Sequence, residues 1–446
     1  MADNRRDTDR VPVGIEKGSN DDETIDIFVP PANAEESSPK EDAIHPPDVG
    51  ILPWLQVLGG FFLMFNGWGI VVAYGTFQTY YTSGGITDED SPSTIAWIGS
   101  VQVFLLTFGA ALTGKWFDGG YFRPMIWTGS FLIVFGMMMT SLATKYYQFM
   151  LAQGICTGVG MALCLIPAVG MPSVWFVKRR GFATGIVTGG SSVGGIIYPI
   201  LVHELIPKVG FPWAVRILAF VALGTLSISL AVLRQRLPPR KRGTFIYYQA
   251  LGEPAFAFYE AGIFVTFLGF FTFYNFVEEW AIATHVDSKG LPLFYILPIV
   301  NAASVLGRTI PNYWSDFTGP LNLQAPAILV SGILVLTWLP TRTIGPLMTI
   351  AVLYGFFSGT AIALPPASTA SMTKDLNTFG GRMGLVFMAL GLASLIGSPV
   401  TGAIVQGQNG SYDGAKIWAG VTMLAGSVFL GIARMARTGW KLAGKV

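Results

Sequence analysis

Residues 298–322, PIVNAASVLGRTIPNYWSDFTGPLN, begin as an apolar helix carrying one cation, Arg308, too deep in the run to belong to a loop. The segment leaves through a turn with Asp316, Gly319, Pro320 and Asn322. An arginine in hydrocarbon costs roughly 2.5–3.5 kcal/mol on insertion scales, so it normally faces a bundle interior or a watery cavity and marks a functional site. A related helix-to-turn passage, Gly114-Lys115-Trp116-Phe117-Asp118, lies about 200 residues earlier. That echo points to a duplicated helical membrane protein.

The composition agrees. The chain has 446 residues, 52% hydrophobic and 12% charged, with mean hydropathy +0.53. Soluble domains carry about 25% charged residues, so half the usual charge together with repeated apolar runs implies a polytopic bundle. The 54 glycines suit close helix approach. Residues 1–49 are polar and rich in Pro and Ser, and read as a disordered tail without a signal peptide.

Apolar segments fall at Trp54–Tyr80, Ile95–Gly114, Pro124–Ala143, Tyr147–Val174, Ala183–Leu205 and Trp213–Leu233. After a polar stretch, six more fall at Pro254–Val277, Pro292–Trp314, Pro326–Leu339, Leu347–Pro365, Gly384–Val405 and Trp418–Ile432. Unpaired backbone is not tolerated in lipid, so these are helices. The expected division is a tail at 1–49, bundles at 50–233 and 254–433, a cytoplasmic linker at 234–253 and a second tail at 434–446.

Orientation follows from Lys and Arg. With a cytoplasmic N-terminus, the inner side holds Lys115, Arg123, Lys178, Arg179, Arg180, Arg234, Arg236, Arg240, Lys241, Arg242, Lys374, Arg382, Arg434, Arg437, Lys441 and Lys445. The outer loops hold only Lys145, Lys208, Arg216, Lys289, Arg342 and Lys416, besides the acidic Asp88, Glu89 and Asp90. Both termini are therefore expected in the cytoplasm. Asn409-Gly410-Ser411 is a glycosylation sequon on the expected outer side.

The halves repeat in parallel. Gly154, Gly158 and Pro167 answer Gly355, Gly359 and Pro366, Gly185 and Pro199 answer Gly384 and Pro399, and Asp118 answers Asp316. Parallel six-helix repeats imply a carrier with substrate bound between halves near the membrane midplane.

These stretches resemble a known family. Gly114–Arg123, GKWFDGGYFR, is similar to the loop motif of the major facilitator superfamily, with Gly119 where a basic residue is usual after Asp118. Pro47–Phe62, Tyr74–Tyr81, Trp97–Leu106, Trp175–Gly195 and Asn301–Asp316 resemble the monocarboxylate porter branch, especially its fungal members. The resemblance implies twelve helices, alternating access and proton-coupled movement of small organic acids, or export of secondary metabolites. In monocarboxylate carriers a first-helix lysine and an eighth-helix Asp-x-x-x-Arg serve the anion and the proton. Here Arg308 is kept, Ser304 replaces the aspartate, and Tyr74–Tyr81 has no lysine.

Arg308 is the candidate for a substrate carboxylate, since guanidinium offers a bidentate fork; a gating pair or snorkelling are the alternatives. Asp316 follows it by about 12 Å at 1.5 Å per residue. Tyr74, Gln78, Asn275 and Asn301 are further substrate-path candidates, with interhelical hydrogen bonding as the alternative; Asn66, Gln102 and Tyr274 belong to the same set of polar groups in apolar spans. Glu260 reads as an Arg308 partner or an interfacial residue. Glu278 and Glu279 read as a proton site or as two solvated carboxylates. Gly114, Asp118, Arg123 and Asp316 form a gating motif. The phenylalanines of span seven read mostly as packing, with stacking on substrate as the second choice.

Several classes are excluded. Gly189–Gly195 lacks the Lys-Ser/Thr ending of a phosphate loop. His45, His203 and His285 are scattered, and Cys156 and Cys164 share one apolar run, so no metal or cofactor is called for. Nothing points to hydrolysis or to nucleic acid, and the basic runs Lys178–Arg180 and Arg240–Arg242 read as topology determinants against anionic lipid. The expectation is a secondary transporter, not an enzyme, with a small-molecule substrate, lipid contacts, protons as candidate coupling ion and no obligate protein partner. Export of an amphipathic metabolite is favoured over proton-coupled monocarboxylate uptake, with a transporter-like nutrient sensor a distant third. The plasma membrane is preferred to the vacuolar membrane.

Overall fold

A computed structural model describes residues 50–85, 91–176, 180–236, 247–287, 292–373 and 378–439. The N-terminal tail, Asp88–Asp90, Lys178 and Arg179, and the Arg240–Arg242 run lie outside the described residues, as do the side chains of Asp118, Arg180 and Asp316.

The described chain is built of α1 Ile51–Val72, α2 Tyr74–Tyr80, α3 Pro92–Asp118, α4 Phe122–Thr140, α5 Tyr146–Phe149, α6 Thr157–Trp175 and α7 Arg180–Val232. There follow α8 Pro254–Ala283, α9 Ile296–Thr318, α10 Pro320–Thr337, α11 Ile344–Ala363, α12 Pro365–Met372, α13 Phe379–Gly407 and α14 Asp413–Thr438. A π-helical segment, Met150–Cys156, joins α5 to α6.

Eleven continuous helical runs among these are long and apolar enough to cross a membrane. One of them, α7, has 53 residues. It would reach about 80 Å at 1.5 Å per residue, against roughly 30 Å of hydrocarbon. It breaks at Gly210 (φ 78°, ψ 160°), between Pro207 and Pro212. Glycine alone enters that backbone region cheaply, and the prolines withdraw donors on either side. So α7 is two spans, 180–209 and 211–232, and all twelve expected segments are present. The ninth differs at its start: the helix begins at Pro320, not Pro326, because Gly319 (φ 94°) ends α9 and Pro320 suits the first helical turn.

Glycines set how closely these helices approach. A Cβ at Gly158 would lie 3.2 Å from the Gln102 carbonyl oxygen, so α6 rests on α3. The corresponding glycines of the second half behave alike, with Gly355 at 2.2 Å from the Val300 oxygen and Gly359 at 2.8 Å from the Ser304 oxygen, so α11 rests on α9. The repeat read from sequence is thus a repeat of helix contacts. Within the first half α1 also packs on α7, and within the second α8 packs on α13 and α14. The halves meet along α3 with α13, α7 with α9, and α2 with α8.

The outer faces are apolar and exposed, as in Trp127, Phe131 and Phe135 of α4 and Val421 and Val428 of α14. Their helical spacing marks lipid-facing stripes.

Two cations read as loop residues belong elsewhere. Arg382 lies in α13, buried, where it forms a two-pronged pair with Glu253 and stands over the rings of Phe256 and Tyr247. Lys416 lies in α14, with its ammonium 4.2 Å from the Trp280 ring centre, 4.8 Å from that of Trp338 and 3.5 Å from Asp413. Charge-bias reasoning counts a cation without seeing an aromatic cage folded over it.

The contact at Gly307 is the tightest such approach described, with a Cβ falling 1.9 Å from the Phe356 oxygen. Gly307→Ala is expected to destabilise by about 1–3 kcal/mol through forced separation of α9 and α11. Thermal unfolding in detergent checks this, with Gly67→Ala, where a Cβ meets open space, expected to leave the midpoint unchanged or higher.

Candidate functional site

The Gly189–Gly195 run serves two faces at once. Gly190 and Gly194 bring α7 against α1, where a Cβ would lie 2.3 Å from the Phe61 and Phe65 carbonyl oxygens. Its other face turns Thr188, Ser191 and Gly195 toward α9. There Arg308 is 3% exposed. Its Nε donates to Ser304 at 3.1 Å, and one terminal nitrogen donates to the Thr188 carbonyl at 3.3 Å and to Ser191. Ser304, standing where an aspartate would complete the porter motif, is therefore a neutral partner. Arg308 makes no ion pair among the described residues. A buried guanidinium without a carboxylate is costly.

The possible Glu260–Arg308 pair does not form. Glu260 is buried, and one carboxyl oxygen has no partner. It lies about three helical turns before Phe271, hence on much the same face of α8.

The substrate-path candidates divide. Tyr74 and Asn275 meet in one small pocket of about 10 Å³, lined also by Val71, Ser100, Val103, Phe271 and Ser398. The pocket draws on both halves. Tyr74 donates to the Ile95 carbonyl at 2.6 Å, and Asn275 donates to Ser398 at 3.0 Å. Asn301 instead lies in the α7–α9 seam, where its amide donates to the Gly195 carbonyl at 3.1 Å and to Leu297 at 3.0 Å. Gln78 is fully buried at the α2–α8 seam with neither amide atom partnered. Asn66 is structural, bonded to Phe62, Thr225 and Tyr198 inside the first half.

Glu278 and Glu279 are not two solvated carboxylates. Glu278 is 5% exposed and stands beside Thr76, while Glu279 stands beside Tyr412 and Gln78. Of the gating motif, Arg123 is exposed and Gly114 borders open space; the Asp118 and Asp316 side chains fall outside the described residues.

Trp68, Thr188 and Ser191 escaped sequence reasoning. Trp68 of α1 stacks on Phe271 of α8, 6.4 Å between ring centres and 14° between planes. Tyr274, one turn on, stands next to Arg308 and shares a hydrogen bond of 3.0 Å with Ser358. An aromatic strip thus runs from Trp68 through Phe271 and Tyr274 to the guanidinium. No sequence period distinguishes these rings from neighbouring packing aromatics, because Phe occurs on every face of α8.

Twelve apolar spans, two repeated halves and a buried cation at their junction define a polytopic membrane carrier. Residues 57–348 match the Major Facilitator Superfamily, and the chain belongs to that family. It is 42% identical over 385 residues to an MFS-type transporter, dbaD, of Emericella nidulans, covering 86% of each chain. It is 36% identical over 414 residues to the aspyridones efflux protein apdF of the same species, covering 91% of this chain and 84% of the relative. The fujikurins efflux protein of Gibberella fujikuroi is 37% identical over 396 residues, covering 88% and 84%. The protein is therefore an integral, multi-pass transporter of small molecules, and not an enzyme.

Because Glu260 and Arg308 do not pair, removing both charges has a simple consequence. Glu260→Gln and Arg308→Gln are expected to change unfolding free energy additively, within about 0.5 kcal/mol. A double-mutant cycle by thermal or chemical unfolding in detergent checks it; coupling well above that value would restore the pair.

Proposed function

We infer that the protein exports an amphipathic metabolite carrying an acidic group, by alternating access of the halves 50–233 and 254–433 around the Trp68–Phe271–Tyr274–Arg308 strip. The observation that carries this reading is Arg308, buried in the seam and held only by neutral partners among the described residues. A carboxylate supplied by substrate completes its charge, while the aromatic rings receive the apolar body. Tyr74, Asn275 and Asn301 then serve the same path from neighbouring helices, and Gln78 lies at its end.

Export rests on relatives that are named efflux proteins. An acidic substrate rests on Arg308 and on the resemblance to monocarboxylate porters. The linker 234–253 and the tails are assigned to the cytoplasm by the Lys and Arg bias, which puts the α2–α8 seam at the outer face. The gating role of Gly114, Asp118, Arg123 and Asp316 is supported by their position at the C-terminal ends of α3 and α9 and the start of α4, away from the α2–α8 seam. The plasma membrane is the preferred location for an exporter.

Counterflow in proteoliposomes of labelled organic acids and amphipathic acidic metabolites, beside their amides or esters, tests the reading. The acids should move and the neutral analogues should not. Arg308→Ala should lower acid counterflow roughly ten- to a hundredfold, the loss of a charge-assisted contact of about 1.5–3 kcal/mol. Arg308→Lys should retain part of it. Equal transport of acid and neutral analogue, unaffected by Arg308→Ala, would show that the guanidinium is a structural tie.

A further inference from the structure

Five buried polar atoms that make no hydrogen bond of good geometry among the described residues gather where α2 meets α8: the Thr76 hydroxyl, both amide atoms of Gln78, and one carboxyl oxygen each of Glu278 and Glu279. Thr76 is 6% and Gln78 0% exposed. Glu278 stands beside Thr76, and Glu279 beside Gln78 and Tyr412. These helices belong to opposite halves, and they touch closely, for a Cβ on Gly75 would lie 2.4 Å from the Tyr274 oxygen. Buried polar groups are as a rule satisfied, and a cluster that is not indicates an occupant or a working role.

The other charges nearby among the described residues are engaged elsewhere. Tyr74 gives its hydroxyl proton to Ile95. Lys416, the cation of the packing helix α14, sits over Trp280 and Trp338 and pairs with Asp413, with Arg342 further out. Among the described residues the seam thus gives the two carboxyls only the neutral groups of Thr76, Gln78 and Tyr412. Carboxylates confined there exchange their water for only a few neutral hydrogen-bonding groups. As carboxylic acids, they carry O–H donors for the empty acceptors of Gln78 and Thr76.

We propose that Glu278 and Glu279, with Gln78 and Thr76, form a proton-binding latch that closes the α2–α8 seam when protonated and opens it when the protons leave. Binding a proton turns a carboxylate into a neutral acid that donates across the seam to Gln78 or Thr76; losing it leaves a buried carboxylate that water must reach, and α8 parts from α2 to admit it. The sign is fixed: acid closes this end, alkali opens it. This rests on the transporter reading above and adds its coupling ion. With this end at the outer face, a proton taken up from outside closes the gate, and its release inward reopens the gate to discharge substrate.

The test uses the full chain in nanodiscs, with Cys156→Ser and Cys164→Ala, and spin labels on Ser83→Cys and Gln406→Cys, both exposed positions. Pulsed electron paramagnetic resonance gives the distance across the end as pH is raised. We expect the long-distance population to grow with pH, and Glu278→Gln/Glu279→Gln to hold the short distance at every pH. Should that double variant not purify as a monodisperse species, infrared difference spectroscopy on the chain with native glutamates decides. The carbonyl band of protonated carboxyls must then disappear over the same pH range as the opening. An unchanged distance in the parent chain, an unchanged pH response in the double variant, or opening and closing by sodium at fixed pH would overturn the latch. The readout needs no substrate, so a seam that obeys pH in a chain that moves no acid would sink the export reading alone.

Discussion

A buried charge must find an opposite charge, a set of dipoles or a proton, and the interior of this carrier is arranged around how each of its charges meets that demand. Arg382 is met by Glu253 and flanked by aromatic rings. Lys416 is met by Asp413 and two tryptophans. Arg308 is met by a carbonyl and hydroxyls alone. The first two lie within the second half and tie its own helices together. The third lies between halves, where a carboxylate partner would tie the two together; the proposed alternating access is favoured by its absence among the described residues.

Neutral polar groups also fasten helices within each half. Asn66 is fully bonded among α1 and α7. Gln324 of α10 accepts from Ser368 at 2.6 Å and from Tyr259 at 3.3 Å, and donates to Ala361. Between the halves, glycine-lined contacts let backbones meet at van der Waals distance, so the seams close without a network of strong bonds.

The architecture was legible because it depends on quantities that survive without coordinates. Span length, apolar run and the recurrence of Gly158 at Gly359 are all fixed by lipid thickness and helix approach. Arg308 was legible for the same reason, since a charge in an apolar run has no bland explanation. Its partners were not. Thr188 and Ser191 sit in a glycine-rich run whose packing role hides its polar face, and Trp68 looks like any membrane tryptophan. Arg382 and Lys416 were misplaced as loop cations because topology counting sees charge and not the ring or carboxylate that folds over it. Glu278 and Glu279 lie near a helix end, where solvent is the usual expectation; only the approach of α2 reveals that they are covered.

That cover explains why the two charged centres of the seams can act together. Tyr274 lies one turn before Glu278 on α8 and stands beside Arg308 of α9. Movement of α8 away from α2 therefore also displaces the ring beside the guanidinium and the Phe271–Trp68 stack. On the proposed reading, a carboxylate on Arg308 favours the arrangement in which α7 and α9 hold it, and a proton at Glu278 the one in which α2 and α8 are closed. Because Tyr274 of α8 stands beside Arg308 of α9, both events then bear on the position of α8, and each changes the affinity for the other by the same factor. A helix with an acid at one end and an aromatic strip along its middle would in that way link a proton gradient to the passage of an amphipathic anion.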